Sequence, residues 1–553
     1  MGSEDPGPSI PWWRQAIFYQ VYPLSFRDSD GDGYGDLPGL TSKLDYLAEV
    51  LGIDAIWVSP FYRSPMTDWG YDISDHCDVD PLFGTLEDAK ALIEEAHRRD
   101  LRVIVDYVMN HTSNLHPWFV ESRSSRENSK RDWYVWREGR DGGPPNNWVS
   151  VFSGPAWSHD DETGQWYRHT YLPTQPDLNW RNPEVVEAMM EVGRFWLELG
   201  VDGFRVDAAH QMMKDPKERD NPPAPPEYPR PYKDMGEYDR FIHLYDFGHP
   251  DVHEIHRAFR KMVDTFSDDA LTIGEIHIFD LPEWASYYGE NFDQLHMPFN
   301  FQLMTAEWSV PLLRGVIESV LWNVPVGGWT NWTLGNHDEL RLASRVPPGH
   351  ERLAALLLLT LRGTPFLYYG DEIGMRQAYV EPEKRRDPWG SNVEWLSRDG
   401  ARTPMQWEPV QGAGFTSPAT EPWLPIGPEH EERNVEVELA DPDSLLNLYR
   451  RLIELRHESA ALRVGSFLSH PASSETVFAY RRESDTETVT VVLNFAFERQ
   501  TLSVGSGKVV FSTLDPERGD PVKNGLELAP LEGVVVAHRG PRRAPAPDRL
   551  VSH

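Results

Sequence analysis

The sequence predicts an α/β protein: a (β/α)8 TIM barrel with an inserted loop-rich domain after its third strand and an all-β domain at its C-terminal end. Three observations carry this reading. Short apolar runs that stop at polar or acidic residues recur along the chain, separated by helical stretches, as parallel barrel strands with polar C-terminal ends would. Residues 113–180 lose the helical rhythm, are rich in Trp, Pro, Gly and Asn, and are too long for an ordinary barrel loop. From Thr476 the apolar period changes from 3.6 to 2, with Val477-Phe478-Ala479-Tyr480 and Val489 to Leu493 as the clearest runs, which reads as short strands joined by turns.

The first strand is Ile17 to Tyr22, followed by an acidic loop, Asp28, Asp30, Asp32, Gly33, Tyr34, Gly35, Asp36. Its carboxylates fall at positions 1, 3, 5 and 9 of a calcium-loop spacing, with Gly33 at the sharp turn and the Tyr34 carbonyl at position 7. Gly39 stands where an EF-hand places its bidentate glutamate. A solvated acidic turn is the plainer reading, but so many like charges repel without a cation, so a structural Ca2+ is expected, with Mg2+ as the other hard ion.

Ala55 to Pro60 is the second strand, and Thr85 with Asp88 caps a helix whose buried face is Leu86, Ala89, Leu92, Ile93 and Ala96. Val103 to Asp106 is the third. Asn182 caps the next helix, Pro183 suits its first position, and Met189, Val192, Trp196 and Leu199 recur at helical spacing before Gly200. The fourth strand, Val201 to Val206, carries Arg205 and ends at Asp207; residues i and i+2 of a strand share a face. Alone, that pair is also what a buried structural ion pair looks like. Strands five to eight come at Leu271 to Gly274, near Gln294 to Pro298, at Trp332 and at Pro365, and Leu445, Leu448, Leu452 and Leu455 mark the last barrel helix. Lys214 to Asp246 and Ile373 to about Asp441 are irregular. The expected domains are 1–108 with 181–470 for the barrel, 109–180 for the insert, 471–540 for a β-sandwich and 541–553 for a loose tail.

Composition bounds the function. The chain has 553 residues, 40% of them hydrophobic and 12% aromatic, which suits a folded multidomain protein. A net charge of −34 argues against nucleic acid and anionic membranes as partners, and the 21 tryptophans suit a sugar-binding surface. The lone cysteine, Cys77, excludes an intrachain disulfide framework, Met1 to Pro11 lacks a secretory pattern, and the longest apolar run, Leu353 to Leu361, is too short for a membrane span. A cytoplasmic location is the expectation; the oligomeric state is left open.

Several strand ends carry chemistry: Asp106 with Asn110 and His111, Arg205 with Asp207, Glu275, and Asn336-His337-Asp338. In this order they resemble the four signature regions of the α-amylase family of glycoside hydrolases (glycoside hydrolase family 13). Gln175-Pro176-Asp177-Leu178-Asn179-Trp180 and the acidic loop resemble the oligo-1,6-glucosidase and α-glucosidase branch. The resemblance implies a retaining mechanism with Asp207 as nucleophile, Glu275 as acid–base and Asp338 gripping the 2- and 3-hydroxyls. It also implies that Asp68, Tyr71, His111, Gln175, Arg205, His337 and Arg402 bind or orient a terminal glucose. A metal reading of the histidines has no ligand spacing to support it. The small oligosaccharide or glucoside substrate would be hydrolysed at its non-reducing end, with some transglucosylation. Ala208, after the nucleophile, leans toward α-1,4 or mixed linkages. A trehalose synthase or sucrose isomerase (Glu339 beside Asp338 resembles some trehalose synthases) and an inactive sugar-binding or transporter-partner relative are the alternatives.

Overall fold

The computed structural model describes residues 10–230, 233–267, 269–523 and 525–538. The expected tail, 541–553, lies outside them.

Eight parallel strands form one sheet: β1 (Phe18–Val21), β2 (Ala55–Val58), β3 (Arg102–Val108), β4 (Gly203–Asp207), β5 (Leu271–Gly274), β6 (Met297–Pro298), β7 (Asn331–Thr333) and β8 (Thr364–Tyr368). Their order is β6-β5-β4-β3-β2-β1-β8-β7, so every neighbour pair but one is hydrogen-bonded. The Asn331 side chain closes the remaining seam, donating to the Pro298 carbonyl at 2.9 Å and accepting from Asn300 N–H at 3.1 Å. Gly203 is required where β4 meets β5: its φ is +150°, and an added Cβ would sit 2.1 Å from the Leu271 carbonyl oxygen.

The helices that cover the sheet follow from their caps and apolar stripes. α1 (Leu86–His97) starts in the Thr85–Asp88 capping box, with Ala89, Leu92, Ile93 and Ala96 buried. α2 (Pro183–Leu199) starts at Asn182, whose side chain accepts from Glu184 N–H, and stops at Gly200 with φ 109°. α3 (Val252–Asp264) packs Phe259 against Phe204 of β4 and Tyr107 of β3, and α4 (Val310–Asn323) lies between β6 and β7 in the chain. α5 (Glu351–Thr360), the long apolar run of the sequence, buries both faces because the C-terminal domain packs on its outer side. α6 (Leu445–Glu458) closes the barrel. Among the described residues no helix is long and apolar enough to cross a membrane.

The C-terminal unit has strands β9 (Ser466–Ser469), β10 (Val477–Glu483), β11 (Thr488–Asn494), β12 (Gln500–Leu502), β13 (Gly507–Ser512), β14 (Pro521–Val522), β15 (Leu526–Leu528) and β16 (Gly533–Ala537). Six form an antiparallel sheet, β9-β10-β11-β16-β13-β14, and the β12–β15 ribbon covers one face through Leu502, Leu526 and Leu528. Its first strand starts at Ser466, five residues before the expected boundary; four residues with one buried face carry too little alternation to stand out. Arg482 of β10 staples the domain to the barrel by donating to the Thr360 carbonyl at 2.6 Å and the Gly465 carbonyl at 2.9 Å.

Within the insert, Trp136–Arg137, Trp157–Asp160 and Gln165–Arg168 make a three-stranded antiparallel sheet. Its neck is stitched where His111 bridges Asp177 and Leu178 N–H donates to the Asn110 carbonyl at 3.0 Å. The irregular 214–230 stretch lies against it, with Trp148 Nε1 donating to the Arg219 carbonyl at 2.8 Å. Insert and loop thus rise as two walls over the C-terminal ends of the strands.

Candidate active site

Between these walls lies a cavity of about 840 Å³, lined by Asp207, Glu275 and Asp338 among others. Its organising group is the buried Arg205 guanidinium. One terminal nitrogen, Nη1, meets Asp106 Oδ1 at 2.5 Å and Asp207 Oδ1 at 2.7 Å, and Nη2 meets Glu275 Oε1 at 3.0 Å. Asp106 is fixed further by Trp57 Nε1 at 2.8 Å, and the Arg205 guanidinium lies over the Trp57 ring at 5.0 Å. Register explains the convergence: Arg205 pairs with Asp106 across β3–β4 and with Ile273 across β4–β5, so strand-end residues of three strands share one level.

Glu275 is held at both carboxyl oxygens. Oε2 accepts from Ala208 N–H at 2.8 Å, and Oε1 lies 3.0 Å from His277 Nε2. Ala208 reaches it from a left-handed conformation, φ 44°, which turns the amide back toward β5. The two central carboxyls titrate as a pair. Burial, then the charges of Glu275 and Asp106, raise Asp207 well above the ordinary carboxylate range against the pull of Arg205. Burial works the same way on Glu275, but Arg205 and His277 outweigh it and hold that group well below its usual value.

Asp338 is anchored by two arginines, Arg402 Nη2 at 2.9 Å and Arg398 Nη1 at 3.2 Å. Burial opposes its charge, yet His337, Arg398 and Arg402 keep it well below the carboxylate range. His337 stacks on Tyr71 (ring centroids 5.4 Å apart, 2° between planes) and contacts Tyr71 Oη and Gln20 Nε2 at 2.7 Å each. Burial lowers His337 to about 3 and His111 to about 4, so both are neutral and offer hydrogen bonds without charge.

The far end of the cavity is closed. Asp68 pairs with Arg398 Nη2 at 2.8 Å and accepts from Gln175 Nε2 at 3.0 Å. Gln175 also lies 3.2 Å from His111 Nε2, and Arg398 is tied to Asp387 at 2.6 Å. Asp68, Tyr71, His111 and His337 face the cavity, whereas Gln175 and Arg205 stand behind its wall.

Arg402 is placed differently from expectation. Its guanidinium is buried behind His337 and Asp338, with Nε donating to the His337 carbonyl at 2.9 Å, and the arginine that reaches Asp338 from the cavity wall is Arg398. The two flank the same short turn, Asp399–Ala401, so both reach Asp338 but only Arg398 faces the space. Sequence reasoning singled out Asp106 without giving it a role, and passed over His277 and the aromatic wall of Phe152, Tyr171, Phe247 and Phe279. A signal existed for Asp106, an acid ending an apolar strand like Asp207.

In the acidic loop, Asp28, Asp30 and Asp36 bring carboxylate oxygens within 4.8 Å of one another. Asp32 stands outside that group, and its Oδ1 accepts from Tyr34 N–H at 2.8 Å. Asp28 Oδ2 is also bonded by Thr416 Oγ1, which ties the loop to the segment after β8.

A family model, "Alpha amylase, catalytic domain", matches residues 20–465. The chain is 43% identical over 506 residues to a probable alpha-glucosidase of Rhizobium meliloti, covering 89% of this chain and 91% of that protein. It is 36% identical over 574 residues to an oligo-1,6-glucosidase of Parageobacillus thermoglucosidasius, covering 96% and 99%. Among solved structures, the α-glucosyl transfer enzyme XgtA superposes with a TM-score of 0.89 at 39% identity, covering 96% of this chain and 100% of that one. The trehalulose synthase MutB in complex with sucrose superposes with a TM-score of 0.86 at 36% identity, with the same coverage.

Proposed function

The chain belongs to the α-amylase family of glycoside hydrolases, and from that premise we propose that it is an exo-acting, retaining α-glucosidase. It removes terminal α-linked glucose from maltose-type and short oligosaccharides or other α-glucosides. The observation that carries this reading is the single guanidinium bridging Asp207 and Glu275 at the closed end of a cavity. Bonds to two nitrogens of one guanidinium suit the separation of about 5–5.5 Å of a retaining pair, not the ~6.5–9.5 Å of an inverting one. The Asp68–Arg398–Gln175 floor leaves no passage for a chain beyond the first sugar, which favours attack at an end.

Each residue then has a task. Arg205 holds Asp207 Oδ1, and Oδ2 attacks the anomeric carbon while Glu275 gives its proton to the departing glycosidic oxygen. Glu275, now a carboxylate, takes a proton from water, whose oxygen attacks the same carbon and releases Asp207. Asp338, kept ionised by its arginines, accepts from two sugar hydroxyls, and neutral His111 and His337 bond the same ring. The enzyme binds small sugars; the lone cysteine and acidic surface fit a cytoplasmic setting.

A second reading changes only the acceptor. The cavity holds several times the volume of one glucose, and its mouth is walled by Phe247, Phe279, Ile242 and Leu244, which favours seating a second sugar over free water. Capture of the glucosyl-enzyme by that sugar would give transfer or isomerisation.

The acidic loop fits a structural cation. Oxygens bound to one Ca2+ at about 2.3–2.6 Å lie no more than ~5 Å apart, the spacing met by Asp28, Asp30 and Asp36, and all donors are hard oxygens. Such an ion, Ca2+ or Mg2+, would neutralise the loop and take no part in the chemistry.

Product analysis on maltose, isomaltose, trehalose and sucrose, resolving anomers at early times, tests the proposal. Free α-glucose from maltose or isomaltose supports it and ranks the linkages. Interconverted disaccharides with little free glucose move the conclusion to an isomerase, and no reaction on any of them overturns both readings.

A further inference from the structure

His277, two residues beyond Glu275 on the segment after β5, is held in a specific pose. Its ring stacks on Phe301 with centroids 4.5 Å apart and 15° between planes, and it forms part of the cavity wall. That pose puts Nε2 3.0 Å from Glu275 Oε1, the oxygen that Arg205 Nη2 also contacts at 3.0 Å. Oε2 receives only the Ala208 amide, at 2.8 Å. A carboxylate has about four lone-pair sites. His277 Nε2 takes one site on Oε1 and the Arg205 charge lies against the same oxygen, so the oxygen left open to substrate is Oε2.

We propose that His277 is a positioning residue that reserves Glu275 Oε1 and thereby directs the catalytic proton to Oε2, the oxygen that delivers it to the glycosidic bond. This rests on Glu275 being the acid–base. In the first step the proton leaves Oε2 for the glycosidic oxygen as the bond from that oxygen to the anomeric carbon breaks and the bond to Asp207 forms. Oε1 keeps the His277 donor and the Arg205 ion pair throughout, and these two groups meet the negative charge left on Glu275. Without His277 the proton has a second resting place on Oε1, turned toward Arg205.

The other groups around Glu275 are fixed. Arg205 and Asp207 stand on β4, Asp106 on β3, Asp338 beyond β7 and Tyr171 on the insert. His210 Nδ1 lies 3.2 Å from the Glu275 carbonyl oxygen, and its ring is 6.1 Å from that of His277. Burial, then the nearness of His277, lowers His210 to about 3, so it stays neutral and does not titrate in the working range. Loss of the His277 donor acts on the Asp207–Glu275 pair: it makes the carboxylate form of Glu275 less favourable and raises the pH at which the pair loses its last proton.

The test compares wild type with His277→Phe on maltose and on 4-nitrophenyl α-glucoside, whose leaving group needs little protonation. Release of α-glucose by wild type tests the parent reading separately. We expect kcat/KM for maltose to fall about tenfold or more, the aryl glucoside to be affected far less, and the alkaline limb of the pH profile to move up by about one unit. Equal losses on both substrates with an unmoved alkaline limb would overturn the proposal. If His277→Phe does not fold, the comparison uses His277→Asn, whose amide stops short of Oε1, with the same two outcomes.

Discussion

Arg205→Lys is the substitution that isolates geometry from charge. A lysine ammonium keeps the positive charge under the three buried carboxyls but is a point donor, without the planar fork that lets Arg205 contact Asp106, Asp207 and Glu275 at 2.5, 2.7 and 3.0 Å. A shorter side chain in the same slot retains one of these contacts well. The two that are lost are charge-assisted hydrogen bonds, each worth about 1.5–3 kcal/mol, so ~3–6 kcal/mol is at stake. Part of it is lost as stability, because a buried carboxylate deprived of its partner is costly. The part that orients Asp207 against Glu275 is lost in the transition state, and at about 1.4 kcal/mol per decade a loss of ~3–4 kcal/mol lowers kcat/KM by about 10²–10³-fold. The acid limb should also move to higher pH, because Asp207, already raised by burial, loses part of the charge that opposes that rise. The assay is initial rate against pH on a 4-nitrophenyl α-glucoside, with a thermal melt of the same samples. A variant whose kcat/KM stays within tenfold of wild type would refute the view that the bridging geometry, beyond the bare charge, organises the pair.

Chelation with EDTA should lower the melting temperature and leave the low-temperature initial rate unchanged, because Asp28, Asp30 and Asp36 belong to a loop tied to Thr416 and not to the cavity wall. Rate lost at once, with an unchanged melt, would count against a structural ion. Stability should also fall on acidification below pH ~6.5. Seven buried histidines, at 76, 111, 116, 210, 256, 296 and 337, are lowered by burial to between about 2 and about 4, so near pH 5 the unfolded chain binds protons that the fold refuses. Four acids oppose them, Asp371 and Glu438 pushed up to about 7 and Asp72 and Asp106 to about 6 by burial, since the fold keeps protons there that the unfolded chain releases. Asp207, also raised by burial, joins these acids, and the histidines still outnumber them, so the expected net direction is loss of stability with acid. A melting temperature that is flat or rising between pH 6.5 and 5 would contradict this balance.

What could be read from the chain, and what could not, divides along the range of the interactions involved. β4 with Asp207 was legible because cap, helix, turn, strand and acid follow one another within a few dozen residues, and a parallel barrel aims each strand end at the same face. Arg205 was legible for the same reason, two residues from Asp207 on one strand face. Arg398 was not. Its partners Asp68 and Asp338 lie 330 and 60 residues away, and no local period marks a residue whose role is set by loops meeting over a closed barrel. The nearby Arg402 drew attention through its motif, yet it supports Asp338 from behind. His277 was hidden differently, on an irregular segment where its orientation is decided by Phe301, a residue of another loop. The strands thus place the reacting carboxyls, and the loops decide what those carboxyls meet.

That division has a consequence for exo action. The floor joins Asp68 from the β2 loop, Gln175 from the neck of the insert and Arg398 from the segment after β8. Gln175 is positioned by the neck register, with Asn114 N–H donating to the Thr174 carbonyl at 2.8 Å, Thr112 N–H to the Pro176 carbonyl at 3.3 Å and Leu178 N–H to the Asn110 carbonyl at 3.0 Å. An inserted residue in that neck would shift Gln175 away from Asp68 while leaving Asp207, Glu275 and Asp338 on their strands. On the proposed exo reading, the barrel sets the chemistry and the register of the insert neck sets how far a sugar chain can enter the site.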